Sequence, residues 1–95
     1  MGKIELRGYA SFRALFGDTV TFVEIETPCS IEECIDKLDG ILDHRLKPMI
    51  SDKDGNQDIF VRILLNGREI AFLKGPNRMV NDNDILLFIP VLGGG

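Results

Sequence analysis

The sequence ends in three glycines, Gly93 to Gly95, which directly follow an apolar run. An arm of glycines can adopt backbone angles closed to other residues and can enter a channel too narrow for side chains. Its reactive group is the terminal carboxylate, a poor electrophile that an activating enzyme would have to convert to an acyl-adenylate before a sulfur or amine nucleophile attacks. The pattern therefore predicts that Gly93, Gly94 and Gly95 form the reactive segment. Gly95 carries the carboxylate if it ends the natural chain.

The other chemically active residue types lack the spacing of a known site. There is no G-x-x-x-x-G-K-[ST], G-x-G-x-x-G or H-E-x-x-H motif. Cys29 and Cys34 have only His44 nearby, which is too few ligands for a structural zinc site, and free thiols are favoured over a disulfide. His44 lacks a carboxylate motif and is predicted to be a surface residue. We therefore predict no metal site, no bound cofactor and no catalysis by the chain alone.

Length and composition fit one small domain, residues 1–95, with residues 92–95 as a flexible glycine tail. The chain has 95 residues, of which 44% are hydrophobic and 27% charged, enough for one modest core. The net charge of −4 without a basic stripe argues against nucleic acid as the main partner. It is compatible with docking on a basic protein surface, although mild acidity is also common. No apolar stretch approaches the roughly 20 residues that cross a membrane, and a cytoplasmic location is expected.

Hydrophobic periodicity predicts the elements of the first half of the chain. Lys3–Tyr9 alternates as a half-buried strand, and Ala10–Gly17 predicts a short helix with Ser11 as its N-cap. Thr19–Glu26 is a strand with either a bulge or two apolar faces. A capping box then opens an amphipathic helix that ends at Gly40. The capping box consists of Ser30 and Glu33. The stripe predicted to be buried consists of Ile31, Cys34, Ile35 and Leu38, and the carboxylates predicted to be solvated are Glu32, Glu33, Asp36 and Asp39.

The second half predicts three more strands. Ile59–Leu65 and Arg68–Leu73 flank Asn66-Gly67, the strongest hairpin signal in the chain, and Ile85–Val91 is the last strand. Two strands, a helix and a second group of strands predict an α+β domain, with a mixed sheet of about five strands under one main helix layer. The first and last strands are expected to be central and parallel.

The last strand also predicts a docking face. Ile85 to Ile89 is apolar at every position, whereas a strand with one solvated face alternates. Either Leu86 and Phe88 or Leu87 and Ile89 should then lie in an exposed apolar patch, unless the middle of the chain covers them. The residues predicted to bind a partner are Phe88, Leu86, Pro90, Val91 and Leu92.

The end of the chain resembles the MoaD/ThiS family of ubiquitin-like sulfur carriers. Asn81 to Gly95 (NDNDILLFIPVLGGG) is similar to the family's ending D-G-D-x-[hydrophobic]-x-x-[FI]-P-P-V-x-G-G. The short helix predicted over Ala10–Gly17 resembles one in the small subunit of molybdopterin synthase, the branch to which the resemblance is greatest. Three glycines stand where the family has two, which leaves Gly94 and Gly95 as alternatives for the reactive residue.

The resemblance implies a ubiquitin-like β-grasp fold and a sulfur-carrier cycle. An E1-like (MoeB-type) adenylating enzyme would activate the C-terminal glycine with ATP, and sulfur from a persulfide would convert it to a thiocarboxylate. The large subunit of molybdopterin synthase would then accept the tail, so the chain would be a cosubstrate. The alternatives are a ubiquitin-like modifier conjugated to target lysines, a sulfur carrier for thiamine synthesis or tRNA thiolation, and a plain interaction domain.

Overall fold

The computed structural model describes residues 2–17 and 21–91. In these ranges the first half of the chain forms β1 (Gly2–Gly8), α1 (Ser11–Phe16), β2 (Thr21–Ile25), β3 (Cys29–Ser30), α2 (Ile31–Ile41) and α3 (Lys47–Ile50). The second half forms β4 (Val61–Leu65), β5 (Arg68–Glu69), two 3₁₀ helices (Ile70–Phe72 and Gly75–Arg78), β6 (Met79–Val80) and β7 (Ile85–Pro90).

Five of the described strands form one mixed sheet in the order β2-β1-β7-β4-β5. β1 and β7 run parallel in its interior, while the other neighbours pair antiparallel. β3 and β6 form a separate two-stranded ladder. This arrangement confirms the predicted α+β β-grasp fold with one main helix and parallel first and last strands. No helix within the described ranges is long and apolar enough to span a membrane.

α2 begins at the predicted capping box and covers one face of the sheet. The Ser30 hydroxyl accepts a hydrogen bond from the Glu33 N–H (3.0 Å), and the Glu33 carboxylate accepts one from the Ser30 N–H (3.2 Å). The helix does not break at Gly40 as predicted but ends at Ile41. Its buried apolar residues join those of the inner strand faces in one core, which includes Ile4, Leu6, Ile25, Ile31, Cys34, Leu38, Ile63, Leu65, Leu86 and Phe88.

α1 packs across the end of the sheet and covers the last part of β7. Phe12 is buried, and its ring centroid lies 5.5 Å from that of Phe88. The helix can approach this closely because β1 ends in a glycine: a Cβ on Gly8 would lie only 2.6 Å from the Cβ of Phe12. Ser11 is the first helical residue and not the predicted cap, since the N-cap position is Ala10, which makes no side-chain hydrogen bond.

The hairpin after β4 turns where predicted, but the returning strand is shorter than predicted. Asn66 and Gly67 both adopt positive φ angles, 51° and 87°, as a tight hairpin turn requires. β5 covers only two residues, after which the chain enters the first 3₁₀ helix. The Arg78 guanidinium holds this turn because it donates to the carbonyls of Ile70 (2.6 Å) and Leu73 (3.3 Å).

Asp39 is buried and does not lie on the solvated helix face predicted for it. Its Oδ1 accepts hydrogen bonds from the backbone N–H groups of Leu46 (3.1 Å) and Lys47 (2.8 Å). Its Oδ2 lies 3.0 Å from Nδ1 of His44. These contacts, that of the Lys47 N–H first, hold the pKa of the Asp39 carboxyl below its ordinary value. The carboxylate thereby fixes the turn between α2 and α3.

We expect Asp39→Asn to destabilise the chain at neutral pH and to have progressively less effect in acid. Because the folded-state pKa is lowered, the carboxylate stabilises the fold above the ordinary aspartate pKa of about 3.9. This stabilisation is lost as the pH falls through the lower folded-state value. Urea unfolding of both chains from neutral pH to about pH 3 measures the difference in free energy of unfolding. A difference that stays constant with pH would contradict a role for the charge.

Candidate functional site

The described chain ends at the base of the glycine segment. The predicted residues Leu92, Gly93, Gly94 and Gly95 lie outside the described residues, whereas Pro90 and Val91, here called the tail root, lie inside them. Residues directly beside both neighbouring strands, Tyr9 after β1 and Phe60 before β4, fix the last residues before the segment. The Tyr9 N–H donates to the Phe88 carbonyl (3.1 Å), and the Val91 N–H donates to the Phe60 carbonyl (2.6 Å). The place where the tail leaves the sheet is therefore defined on two sides.

Covalent geometry limits where the tail can react. Four residues follow Val91. Fully extended, they span at most about 14 Å, using roughly 3.3–3.6 Å per residue. If Gly95 ends the natural chain, a protein that reacts with its carboxylate must therefore bring its reactive groups within this distance of Val91, and the surface of that protein must approach the residues around the tail root.

β7 places its apolar residues on opposite faces of the sheet, and the predicted docking pair lies on the inner one. Leu86 and Phe88 are fully buried, with 0% of their surface exposed, so the prediction that they contact a partner is wrong. The other pair named in the prediction, Leu87 and Ile89, lies on the opposite face and is half-buried. Successive side chains of a strand point to opposite faces of the sheet, and α1 and α2 cover only one of these faces.

Leu64, Leu87 and Ile89 form an apolar stripe on the open face of the sheet, here called the open-face stripe. Leu64 and Leu87 are direct partners across β4 and β7, and Ile89 follows on the same face. Two ion pairs border the stripe: Arg7 with Glu5, and Arg62 with Glu69 at 2.7 Å. An apolar centre with a charged border has the composition of a protein interface. The stripe leads toward the tail root.

The middle of the chain packs on the helical side of the sheet. Leu46 and Ile50 of this segment are buried in the core shared with α2. The alternative that this segment covers the second apolar phase of β7 is therefore wrong for the residues that the structure describes, since Leu87 and Ile89 stay partly exposed.

The thiols of Cys29 and Cys34 and the side chain of His44 have contacts that belong to the fold. Cys29 and Cys34 are buried and free, as predicted, and burial raises the pKa of the Cys34 thiol to about 12. Cys34 is therefore protonated at neutral pH and serves as a small core residue. His44 is exposed as predicted but does have a carboxylate partner, the buried Asp39. Residues 2–17 and 21–91 contain no group of three or more His, Cys, Asp or Glu that could hold a metal ion.

Known proteins resemble this chain over its whole length. No protein-family model matches the sequence. The chain is 27% identical over 93 residues to small archaeal modifier protein 3 of Haloferax volcanii, which covers 98% of this chain and 99% of that protein. The crystal structure of SAMP1 from Haloferax volcanii is similar with a TM-score of 0.74 at 20% identity, over 99% of this chain and 100% of that one.

A putative molybdopterin converting factor, subunit 1, from Pyrococcus furiosus has the same fold. Its TM-score is 0.67 at 20% identity, over 97% of this chain and 100% of that one. The chain therefore has the same ubiquitin-like fold as these proteins, and its sequence is similar over its length to a small archaeal modifier. The similarity includes small archaeal modifiers as well as a molybdopterin converting factor subunit, so it is not specific to the molybdopterin synthase small subunit.

Sequence reasoning missed the residues that surround the tail root. Ile59 and Phe60 were expected inside a buried strand, yet they precede β4 and are exposed. Tyr9 was expected at the end of a strand without a role, and its N–H holds the carbonyl before the tail root. The one local signal was Asp58, because an aspartate directly before an apolar pair often forms a turn with its own backbone.

Proposed function

We propose that this chain is a ubiquitin-like modifier that is joined through its C-terminal glycine to the side-chain amines of target lysines. The observation that carries the proposal is the end-to-end similarity, at 27% identity, to a protein named as a small archaeal modifier. The three terminal glycines supply the carboxylate and the unobstructed carbonyl carbon that such a joining reaction needs.

The proposed reaction takes two steps, the first at the α-phosphorus of ATP and the second at the carboxyl carbon of the terminal glycine. A carboxylate oxygen of Gly95 attacks the α-phosphate of ATP on an E1-like enzyme, which forms the acyl-adenylate and releases pyrophosphate. The neutral amine of a target lysine then attacks the acyl carbon. An amide bond forms, the bond to AMP breaks, and the ammonium proton passes to a base or to water. The described residues of this chain contribute binding surface and positioning, and the activating enzyme contributes ATP and catalysis.

A second candidate function is that of a sulfur carrier for molybdopterin synthesis, as the small subunit of molybdopterin synthase. The observation that favours it is α1, the short helix after β1 that resembles a feature of those subunits. The activation step is the same. The terminal sulfur of an enzyme persulfide would displace AMP, and a thiol would reduce the resulting acyl disulfide to a thiocarboxylate. The large synthase subunit would then use that sulfur.

Mass spectrometry of the protein from its native host tests both candidates. For the modifier we expect tryptic peptides in which a lysine of another protein carries residues 79–95, because Arg78 is the last site for trypsin. For the carrier we expect intact protein with one oxygen replaced by sulfur at its C-terminus. An unmodified terminus, with no such branched peptides in cells that express the chain, would contradict both functions. A chain that continues beyond Gly95 without being processed would do so too.

A further inference from the structure

Two large apolar side chains stand exposed beside the tail root. Ile59 is 83% exposed and Phe60 is 53% exposed, and the Val91 N–H donates to the Phe60 carbonyl at 2.6 Å. Val91 itself is 38% exposed. These three residues are here called the tail-root patch. Single exposed apolar residues are ordinary, but adjacent ones at a functional position are typical of interaction surfaces.

The tail-root patch is held rigidly and is not the tip of a loose loop. Asp58 accepts hydrogen bonds from the Phe60 N–H through Oδ1 (2.8 Å) and from the Val61 N–H through its carbonyl (3.0 Å). The Asp58 N–H donates to the Ile50 carbonyl (2.7 Å), which ties the segment to α3. The Gln57 side chain donates to the Val61 carbonyl (3.0 Å). Because these bonds fix the backbone, little conformational entropy would be lost when a partner covers the patch.

The length of the tail determines which partner meets the patch. An enzyme that activates Gly95 must place its active site within about 14 Å of Val91, since four extended residues span no more. At this distance the enzyme surface around the channel opening faces the residues next to Val91. Ile59 and Phe60 are large apolar side chains at that position, and more than half of the surface of each is exposed. The patch is also next to the open-face stripe, because Ile89 pairs with Arg62, two residues after Phe60.

We propose that the tail-root patch docks on an apolar surface of the E1-like activating enzyme, beside the opening of the channel that receives the tail. This inference rests on the proposed function, in both of its forms, because both begin with adenylation. The patch lets the enzyme recognise the folded domain at the same time as the glycines enter the channel, so the patch contributes to binding and not to the chemical step.

The test compares a double variant with a matched control. Ile59→Ser combined with Phe60→Ser removes the exposed apolar surface of the segment. Phe22→Ser is the control, because Phe22 is 57% exposed, close to the value for Phe60. Phe22 of β2 pairs with Glu5 of β1, and Glu5 pairs with Ile85 of β7, so the three residues lie side by side across the sheet. Ile85 is six residues before Val91, or about 20 Å along the strand.

The measurement is ATP-dependent pyrophosphate release by the purified E1-like adenylating enzyme of the source organism, at varied concentrations of each chain. We expect the double variant to raise KM by about 10- to 100-fold, the effect of losing the burial of one or two large apolar side chains. We expect its kcat to stay unchanged and the Phe22→Ser chain to keep the wild-type KM. Circular dichroism of each variant checks that the substitutions leave the fold intact.

The outcomes separate this inference from the proposed function. A wild-type chain that is activated, together with a folded double variant whose KM equals that of the Phe22→Ser control, overturns the docking proposal alone. A wild-type chain that supports no pyrophosphate release overturns the proposed function and the docking proposal with it. A fall in kcat at unchanged KM also overturns the proposal, because docking acts before the chemical step.

Discussion

Deletion of Gly94 and Gly95 is expected to abolish activation of the chain while its thermal unfolding stays unchanged. The deletion moves the carboxylate back along the tail by about 7 Å, using roughly 3.3–3.6 Å per residue. Misplacing a reacting atom by only about 1 Å can reduce a rate about 100-fold, so a shift of this size should bring activation to background. The core residues that the structure describes all precede Val91, so the fold should not depend on the deleted residues.

Pyrophosphate release with the E1-like enzyme measures this effect, and a heat-unfolding curve serves as the control. Deleting Gly95 alone distinguishes the two candidate reactive glycines. If Gly95 is the working terminus, the single deletion also loses activity. If Gly94 is the working terminus, the chain that lacks only Gly95 is fully active. Loss of folding in the double deletion would contradict the assignment of these glycines to the tail, since it would give them a structural role.

Local patterns were sufficient to predict most of the fold. Alternation in β1, the capping box of Ser30 and Glu33, and the Asn66-Gly67 turn each depend on neighbours within a few residues, and all three are present. The Gly40 break was wrong because an isolated glycine costs only about 1 kcal/mol in a helix, less than the packing of the residues around it can supply. Element ends were therefore less predictable than the elements themselves.

The orientation of β7 could not be read from its own residues. Ile85 to Ile89 is apolar in both phases, so no local pattern says which phase faces the helices. The parallel pairing with β1 decides it, since Leu6 is opposite Leu86 and Gly8 is opposite Phe88. This pairing joins the two ends of the chain. A short stretch of sequence contains only one of the two paired strands, so local patterns cannot reveal the pairing.

Hydrophobic periodicity also failed to predict the burial of Asp39 and the exposure of Ile59 and Phe60, for a related reason. Asp39 occupies a position of α2 that reads as solvated, but backbone donors from the following turn surround its carboxylate. Ile59 and Phe60 read as the start of a strand, but the hydrogen bonds of Asp58 turn the chain before β4 begins. In both places a single side-chain oxygen bound to nearby backbone determines the structure.

The two faces of β7 have different surroundings. Its inner face, with Leu86 and Phe88, anchors the strand in the core. Its outer face, with Leu87 and Ile89, stays available to a partner. The strand therefore holds the tail root in a fixed place and leaves a partly exposed apolar surface beside it. Substitutions on the two faces should accordingly have different consequences.

Phe88→Ala is expected to destabilise the fold severely. Phe88 is fully buried, and its ring packs against those of Phe12 at 5.5 Å and Phe16 at 5.3 Å between centroids. Removing a buried phenylalanine side chain typically costs about 3–5 kcal/mol, because transfer free energy is lost and a cavity remains. A typical domain has about 5–15 kcal/mol of stability in total. Urea unfolding followed by circular dichroism measures the change.

Ile89→Ala is the matched variant on the adjacent residue. Since Ile89 is half-buried on the open face, we expect a loss of only about 1 kcal/mol in unfolding free energy, together with a higher KM for activation. Phe88→Ala should lose activation only in proportion to its unfolded fraction. A Phe88→Ala chain that is stable but no longer binds the enzyme would contradict the inner position of Phe88, because a residue that α1 covers in the folded state cannot contact a partner.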